Sequence, residues 1–163
     1  MRLLKHLFAR SARRLFPEAG LQRIAEAIAR DELRHRGEVC FAVESALDWR
    51  AVWAGRQARD RAAEMFSQLR VWDTAENNGI LIYLLLADRR IEILADRGLA
   101  GRVSGEQWRG ICQLMEERLR AADAEAAVLE GVAAAGELLA AHFPRIDGQA
   151  DRNELPDSPQ VLD

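Results

Sequence analysis

Asn77-Asn78-Gly79-Ile80-Leu81-Ile82-Tyr83-Leu84-Leu85-Leu86-Ala87-Asp88-Arg89-Arg90-Ile91-Glu92-Ile93-Leu94-Ala95-Asp96 is the stretch that decides the fold. Ile80 to Ala87 is continuously apolar and of strand length, the pattern of a central strand covered on both faces. From Arg90 to Asp96 the pattern becomes an alternation, with Ile91, Ile93 and Ala95 on one side and Glu92 and Asp96 on the other. That fits a half-covered outer strand. The short Asp88-Arg89 link predicts an antiparallel hairpin between the two.

Working outward, Glu38 to Glu44 is β-rich and too short for a helix, so it reads as the first strand. Ala58, Ala62, Met65, Phe66 and Leu69 form a helical stripe between Trp49 and Arg70. Strand, helix, strand implies a right-handed parallel crossover. Ahead of the first strand, Leu21, Ile24, Ala25 and Ile28 share one face of a helix from Leu21 to Arg36, which Gly37 stops. Behind the hairpin, Ser104 and Gln107 have the form of a capping box, followed by a stripe of Trp108, Ile111, Cys112, Met115 and Leu119. An alanine-rich helix over Asp123 to His142 ends before Pro144. The expected architecture is α/β: a three-layer α/β/α sandwich on a small mixed sheet, two parallel strands plus an antiparallel hairpin strand, with extra N-terminal helices. Residues 1–20 are expected to form a basic amphipathic helix, 21–144 the α/β domain, and 145–163 an extended or disordered tail.

With 163 residues, 49% apolar and 30% charged, the chain can bury one core and lies outside the disordered and fibrous classes. The net charge of −3 argues against a surface devoted to nucleic acid. That average conceals an asymmetry: residues 1–36 hold nine cations against four carboxylates, a net +5, so the remainder carries −8. Cys40 and Cys112 lack Cys-x-x-Cys spacing and read as core thiols of a reducing, cytoplasmic environment. No run is long enough to span a bilayer, and arginines interrupt the segment Leu3 to Phe16 where a signal peptide would be apolar.

In that segment Leu3, Leu4, Leu7, Phe8, Leu15 and Phe16 recur near helical spacing among basic residues. Such a stripe ordinarily docks on the domain's own core. The second reading is an anionic membrane surface, with Arg2, Lys5, Arg10, Arg13 and Arg14 as the basic contacts. Trp49, Trp53, Trp72 and Trp108 read as packing area.

The words Phe66 to Leu69, Asn78 to Arg89, Ile91 to Gly98, Trp108, and His142-Phe143-Pro144 resemble the TPM domain family, and Asn153 to Asp157 resembles the closing words of its short, anchor-free branch. The resemblance spans roughly Leu21 to Pro144. It implies an α/β/α sandwich; some members are described as acid phosphatases, some bind divalent metal, and many are membrane-anchored, with roles in envelope or photosystem maintenance. Where better known members carry a Thr-Asp pair before the helix that follows the hairpin, this chain has Ser104 and Glu106.

The residues themselves sort to two ends of the sheet. Glu44, Asp88 and Arg89 fall at the C-terminal edge of the parallel strands, where open α/β sheets bind ligands, and are the candidate phosphate or metal site. Glu32, His35, Glu38, Asp73 and Asp96 fall at the opposite edge and are candidate metal ligands: the Glu-x-x-His spacing of Glu32 and His35 can present two ligands on one helix face, and the carboxylates suit Ca or Mg through oxygen donors. Arg34-His35-Arg36-Gly37 contains a fragment of a histidine-phosphatase motif, but it precedes the strand it would need to follow. No Walker loop, dinucleotide fingerprint or Gly-x-Ser-x-Gly elbow occurs. The expected function is that of a non-catalytic TPM-domain accessory or interaction protein with a protein partner or an anionic membrane surface, linked to envelope or membrane protein maintenance. The alternative is a divalent-metal-assisted acid phosphatase of the TPM type.

Overall fold

The computed structural model describes residues 1–148 and 153–163. Its four-stranded sheet is built from β1 (Glu38–Glu44), β2 (Gly79–Leu85), β3 (Arg90–Ala95) and β4 (Gln160–Leu162), in the order β3-β2-β1-β4. β1 and β2 are parallel, with Glu38 beside Gly79 and Glu44 beside Leu85. β2 and β3 form the antiparallel hairpin, closed by a pair between Leu85 and Arg90. The connection is Leu86 to Arg89, and Arg89 takes φ +51, the left-handed conformation that a non-glycine residue adopts at some cost.

The pleat divides the core. Val39, Phe41, Val43, Ile80, Ile82, Leu84, Ile91 and Ile93 point to one face, where α3 (Glu18–Asp31), α6 (Gly105–Arg120) and α7 (Ala124–His142) pack. Cys40, Ala42, Leu81, Tyr83 and Leu85 point to the other, under α4 (Trp49–Trp53) and α5 (Ala58–Gln68). Since β1 and β2 are buried at every position, both faces of each must be covered, and the three-layer sandwich follows. The alternating exposure of β3 matches its half-covered place at the edge.

Three elements differ from the sequence expectation. The basic N-terminal segment is two short helices, α1 (Arg2–Leu7) and α2 (Ala12–Leu15), because Ser11 caps a new start: its side chain accepts from the Arg13 N–H at 3.2 Å. The helix ahead of β1 ends at Asp31, leaving a 3-10 turn over Glu32–Arg34 and an extended His35. The tail, expected as extended or disordered, returns over Gln160–Leu162 as β4, parallel to β1; residues 149–152 lie outside the described residues. β4 and α2 are fastened together. Asp163 Oδ1 accepts from the Ala12 N–H at 2.8 Å and from the Ser45 hydroxyl, and Ser45 Oγ also accepts from the Ala12 N–H at 2.7 Å.

Close backbone approach fixes Gly79, whose Cβ would stand 2.1 Å from the Val71 carbonyl oxygen. Both cysteines are free. Burial pushes the Cys40 thiol up to about 12, and the charges of Glu38 and Glu32 add to the effect, so it is an inert packing group.

Candidate functional site

Asp88 sits in the hairpin turn, and α1 closes over it. Arg2 and His6 are four residues apart and share one helix face. Arg2 Nη2 donates to Asp88 Oδ2 at 2.7 Å, and its Nε reaches both carboxylate oxygens at 3.1 and 3.2 Å. Arg2 Nη2 also donates to the Arg56 carbonyl at 2.6 Å. His6 is buried, with Nε2 at 3.0 Å from Asp88 Oδ1, while Nδ1 accepts from the Leu47 N–H at 3.0 Å. An acceptor role at Nδ1 places the ring proton on Nε2, so His6 donates to Asp88 with both nitrogens used. The Arg2 guanidinium holds the Asp88 carboxyl below the usual carboxylate range against the opposing effect of burial, and His6 assists.

Glu44 is committed elsewhere. Its Oε2 accepts from the Tyr83 hydroxyl at 2.6 Å and from Arg61 Nε at 2.8 Å on the α5 side of the sheet. Burial first, then the Glu44 carboxylate, pushes the Tyr83 phenol upward, so Tyr83 keeps its proton and donates it to Glu44. Arg89, at the tip of the turn, is exposed. Glu44, Asp88 and Arg89 therefore share a sheet edge, but each carboxylate closes its own cluster.

At the opposite edge Glu32 and Glu38 come together, and Asp157 from the tail joins them. Glu38 is buried and accepts from the Glu154 and Leu155 N–H groups at 3.0 and 3.3 Å. Glu32 Oε1 lies 3.4 Å from the Val39 N–H. Burial, followed by the charges of Glu38 and Asp157, pushes the Glu32 carboxyl up to about 9, so it carries a proton at neutral pH.

His35 turns away from this group because the helix has ended before it. It is fully buried, with Nε2 at 3.3 Å from Asp31 Oδ2. Asp73 pairs with Arg70 at the surface. Asp96 Oδ1 caps the following 3-10 turn through the Arg97 N–H at 2.7 Å. Asp96 Oδ2 and Asn78 Oδ1 are buried without a hydrogen-bond partner, and both lie where β2 begins and β3 ends. Among the described residues, no three His, Cys, Asp or Glu side chains are grouped to hold a metal ion. Ser104 caps α6 in a reciprocal box with Gln107, and Glu106 projects into solvent.

The N-terminal face holds what the sequence reading missed. With Arg2 and His6 turned inward on Asp88, the apolar side chains of α1 point outward: Leu4 is 56% exposed, Leu7 60% and Phe8 79%. The stripe expected to pack on the core does so only through α2 and its C-cap, where Ala12 and Phe16 are buried and the Phe16 ring meets Phe41 edge to face at 5.7 Å. α4, against which α1 packs, buries only Val52, so Trp49 and Trp53 are exposed and do not serve as core. The available signal was the i, i+4 pair Arg2 and His6 beside a turn carboxylate at Asp88; pattern alone does not connect positions 82 and 86 residues apart. Lys5, Arg10 and Arg14 are exposed on the same two helices and their connection, and Arg13 approaches Asp163 at 3.5 Å.

The family model described as TPM domain matches residues 11–138. Among solved structures, the NMR structure of BA42 protein from the psychrophilic bacterium Bizionia argentinensis is similar, with a TM-score of 0.76 at 25% identity over 87% of this chain and 92% of that one. No curated protein matches the chain. No helix among the described residues is long and apolar enough to cross a membrane.

Proposed function

Because the chain belongs to the TPM domain family, we propose that it is a non-catalytic member, an accessory protein that works by binding and is linked to envelope or membrane protein maintenance. The observation that carries this reading is the engagement of Asp88: Arg2 and His6 occupy both of its oxygens from inside the chain. Hydrolysis needs an activated water or side chain placed by its neighbours near the scissile bond, and in the metal-assisted phosphatase reading that task falls to a free carboxylate. Glu44 is likewise bound by Tyr83 and Arg61, which leaves that sheet edge without a paired acid and base. The test is turnover of an aryl phosphate at acidic and neutral pH with Mg or Ca, comparing the wild-type chain with Asp88→Ala and Asp96→Ala. Turnover at background, unchanged in both variants, is expected. Turnover that either substitution abolishes overturns the proposal.

The second reading, a divalent-metal-assisted acid phosphatase, is favoured by one observation. Asp96 Oδ2 and Asn78 Oδ1 are buried oxygens without partners at one end of adjacent strands, the donor type that Ca or Mg takes. Bound there, the ion would supply Lewis-acid polarisation of a phosphoryl oxygen. A thermal shift with millimolar Ca or Mg that Asp96→Asn removes is the result this reading requires.

A further inference from the structure

We propose that the outward face of α1 and α4 docks on an anionic lipid bilayer, with Leu4, Leu7, Phe8 and Trp53 entering the interfacial region and Lys5 and Arg14 meeting lipid phosphates. The inference rests on the reading that the protein acts by binding, and it names the partner.

Three observations converge on it. First, α1 has its polarity reversed relative to a helix packed on a core. Arg2 and His6 face inward on Asp88, so its leucines cannot rotate into the domain without breaking that cluster. Phe8, at the C-cap, is 79% exposed, and Trp53 on the adjoining α4 is 82% exposed. An exposed apolar face of this kind marks an interaction surface.

Second, charge selects the partner. Residues 1–16 contain five Lys and Arg and no Asp or Glu. Arg2 is consumed by Asp88, while Lys5, Arg10 and Arg14 are exposed with no ion pair among the described residues. Exposed cations interspersed along the segment with exposed apolar side chains are the composition of an interfacial element on an anionic leaflet. Third, the aromatic residues suit the interface, since tryptophan sits well where one end of the ring is apolar and the other wet. Trp49 carries Arg50 over its ring at 5.3 Å, which adds a cation beside the indole.

The experiment is co-sedimentation of the full chain with phosphatidylcholine vesicles, with and without phosphatidylglycerol, at low and high salt, with tryptophan emission followed in parallel. Binding that requires phosphatidylglycerol, weakens at least ~tenfold in high salt, and blue-shifts the emission is expected. The double variant Leu4→Glu, Phe8→Glu should lose binding, and Lys5→Glu, Arg14→Glu should weaken it. All four side chains are exposed, so an unchanged unfolding temperature shows that the variants remain folded. Absence of binding, or binding indifferent to phosphatidylglycerol and to Phe8→Glu, overturns the inference. A dimer in solution that Phe8→Glu dissociates, without vesicle binding, also overturns it and assigns the face to a second copy of the chain. These outcomes leave the non-catalytic reading standing, because that reading falls only to phosphate-ester turnover.

Discussion

The Asp88 carboxylate and the His6 imidazole meet at 3.0 Å, across 82 positions of chain, and this contact sets which way the first helix faces. His6 donates to Asp88 on one side and accepts from the Leu47 N–H on the other, while Arg2 reaches the same carboxylate from one turn earlier. The cluster is one-third exposed at most, with side-chain exposures of 1% for His6, 13% for Asp88 and 29% for Arg2. A polar latch of this kind spares α1 the need for an apolar inner face, which frees its leucines for the surface.

Replacing Asp88 by Ala strands both donors. Hydrogen bonds to charged groups contribute roughly 2 kcal/mol, so urea unfolding of Asp88→Ala should show a loss of about that size. The carboxyl is held below its ordinary value near 3.8 by Arg2 and His6. Its contribution is thus present above that value and disappears as pH falls through the folded one. Thermal unfolding in acid should therefore fall less steeply for Asp88→Ala than for wild type; equal slopes would contradict the latch.

Glu32 predicts a pH dependence of opposite sense. Its folded value of about 9, against an ordinary 4.5, means that the native state holds a proton which the unfolded chain releases. Stability from this group is complete below pH 4.5 and declines as pH rises toward 9. Glu32→Gln keeps the neutral form at every pH. Unfolding temperatures measured from pH 5 to 9 should decline less in the variant, and a parallel decline would exclude Glu32 as the source.

Ala122 ends α6 with φ +61. The Asp123 N–H bonds the Arg118 carbonyl at 3.0 Å and the Ala122 N–H the Leu119 carbonyl at 3.1 Å, the two bonds of a Schellman motif. An L-residue is strained in that conformation by about 1 kcal/mol. Ala122→Gly, at an exposed position, should raise the unfolding temperature.

Gly136 of α7 faces the Asp31 carboxylate, and a Cβ there would stand 1.5 Å from Oδ2. Burial opposes ionisation of Asp31, but hydrogen bonds from His35 and Arg34 outweigh it and hold the carboxyl low. Gly136→Ala displaces that acceptor from the fully buried His35, and overpacking of this kind costs about 2 kcal/mol. Denaturant midpoints of Gly136→Ala and Asp31→Ala should both fall, and the double variant should fall by less than the two losses combined.

Three of the four strands, β1, β2 and β3, and their pairing follow from the sequence alone. β1, β2 and β3 were legible because continuous and alternating apolar runs report burial on two faces or one, and burial pattern is local information. The capping box at Ser104 and the stripe of α6 were legible for the same reason. β4 escaped because three residues that pair through their backbone carry no periodicity. The candidate site separated along the same line. Glu44, Asp88, Glu32 and Glu38 could be assigned to sheet edges from strand order, yet which partner each carboxylate takes is a property of distant residues: Arg2 and His6 for Asp88, Arg61 and Tyr83 for Glu44. Only the tertiary structure decided that α1 turns its polar face inward. A carboxylate half-buried in a turn is best satisfied where it lies, and at Asp88 that requirement outweighs the hydrophobic pattern which, read alone, places Leu4 and Leu7 in the core.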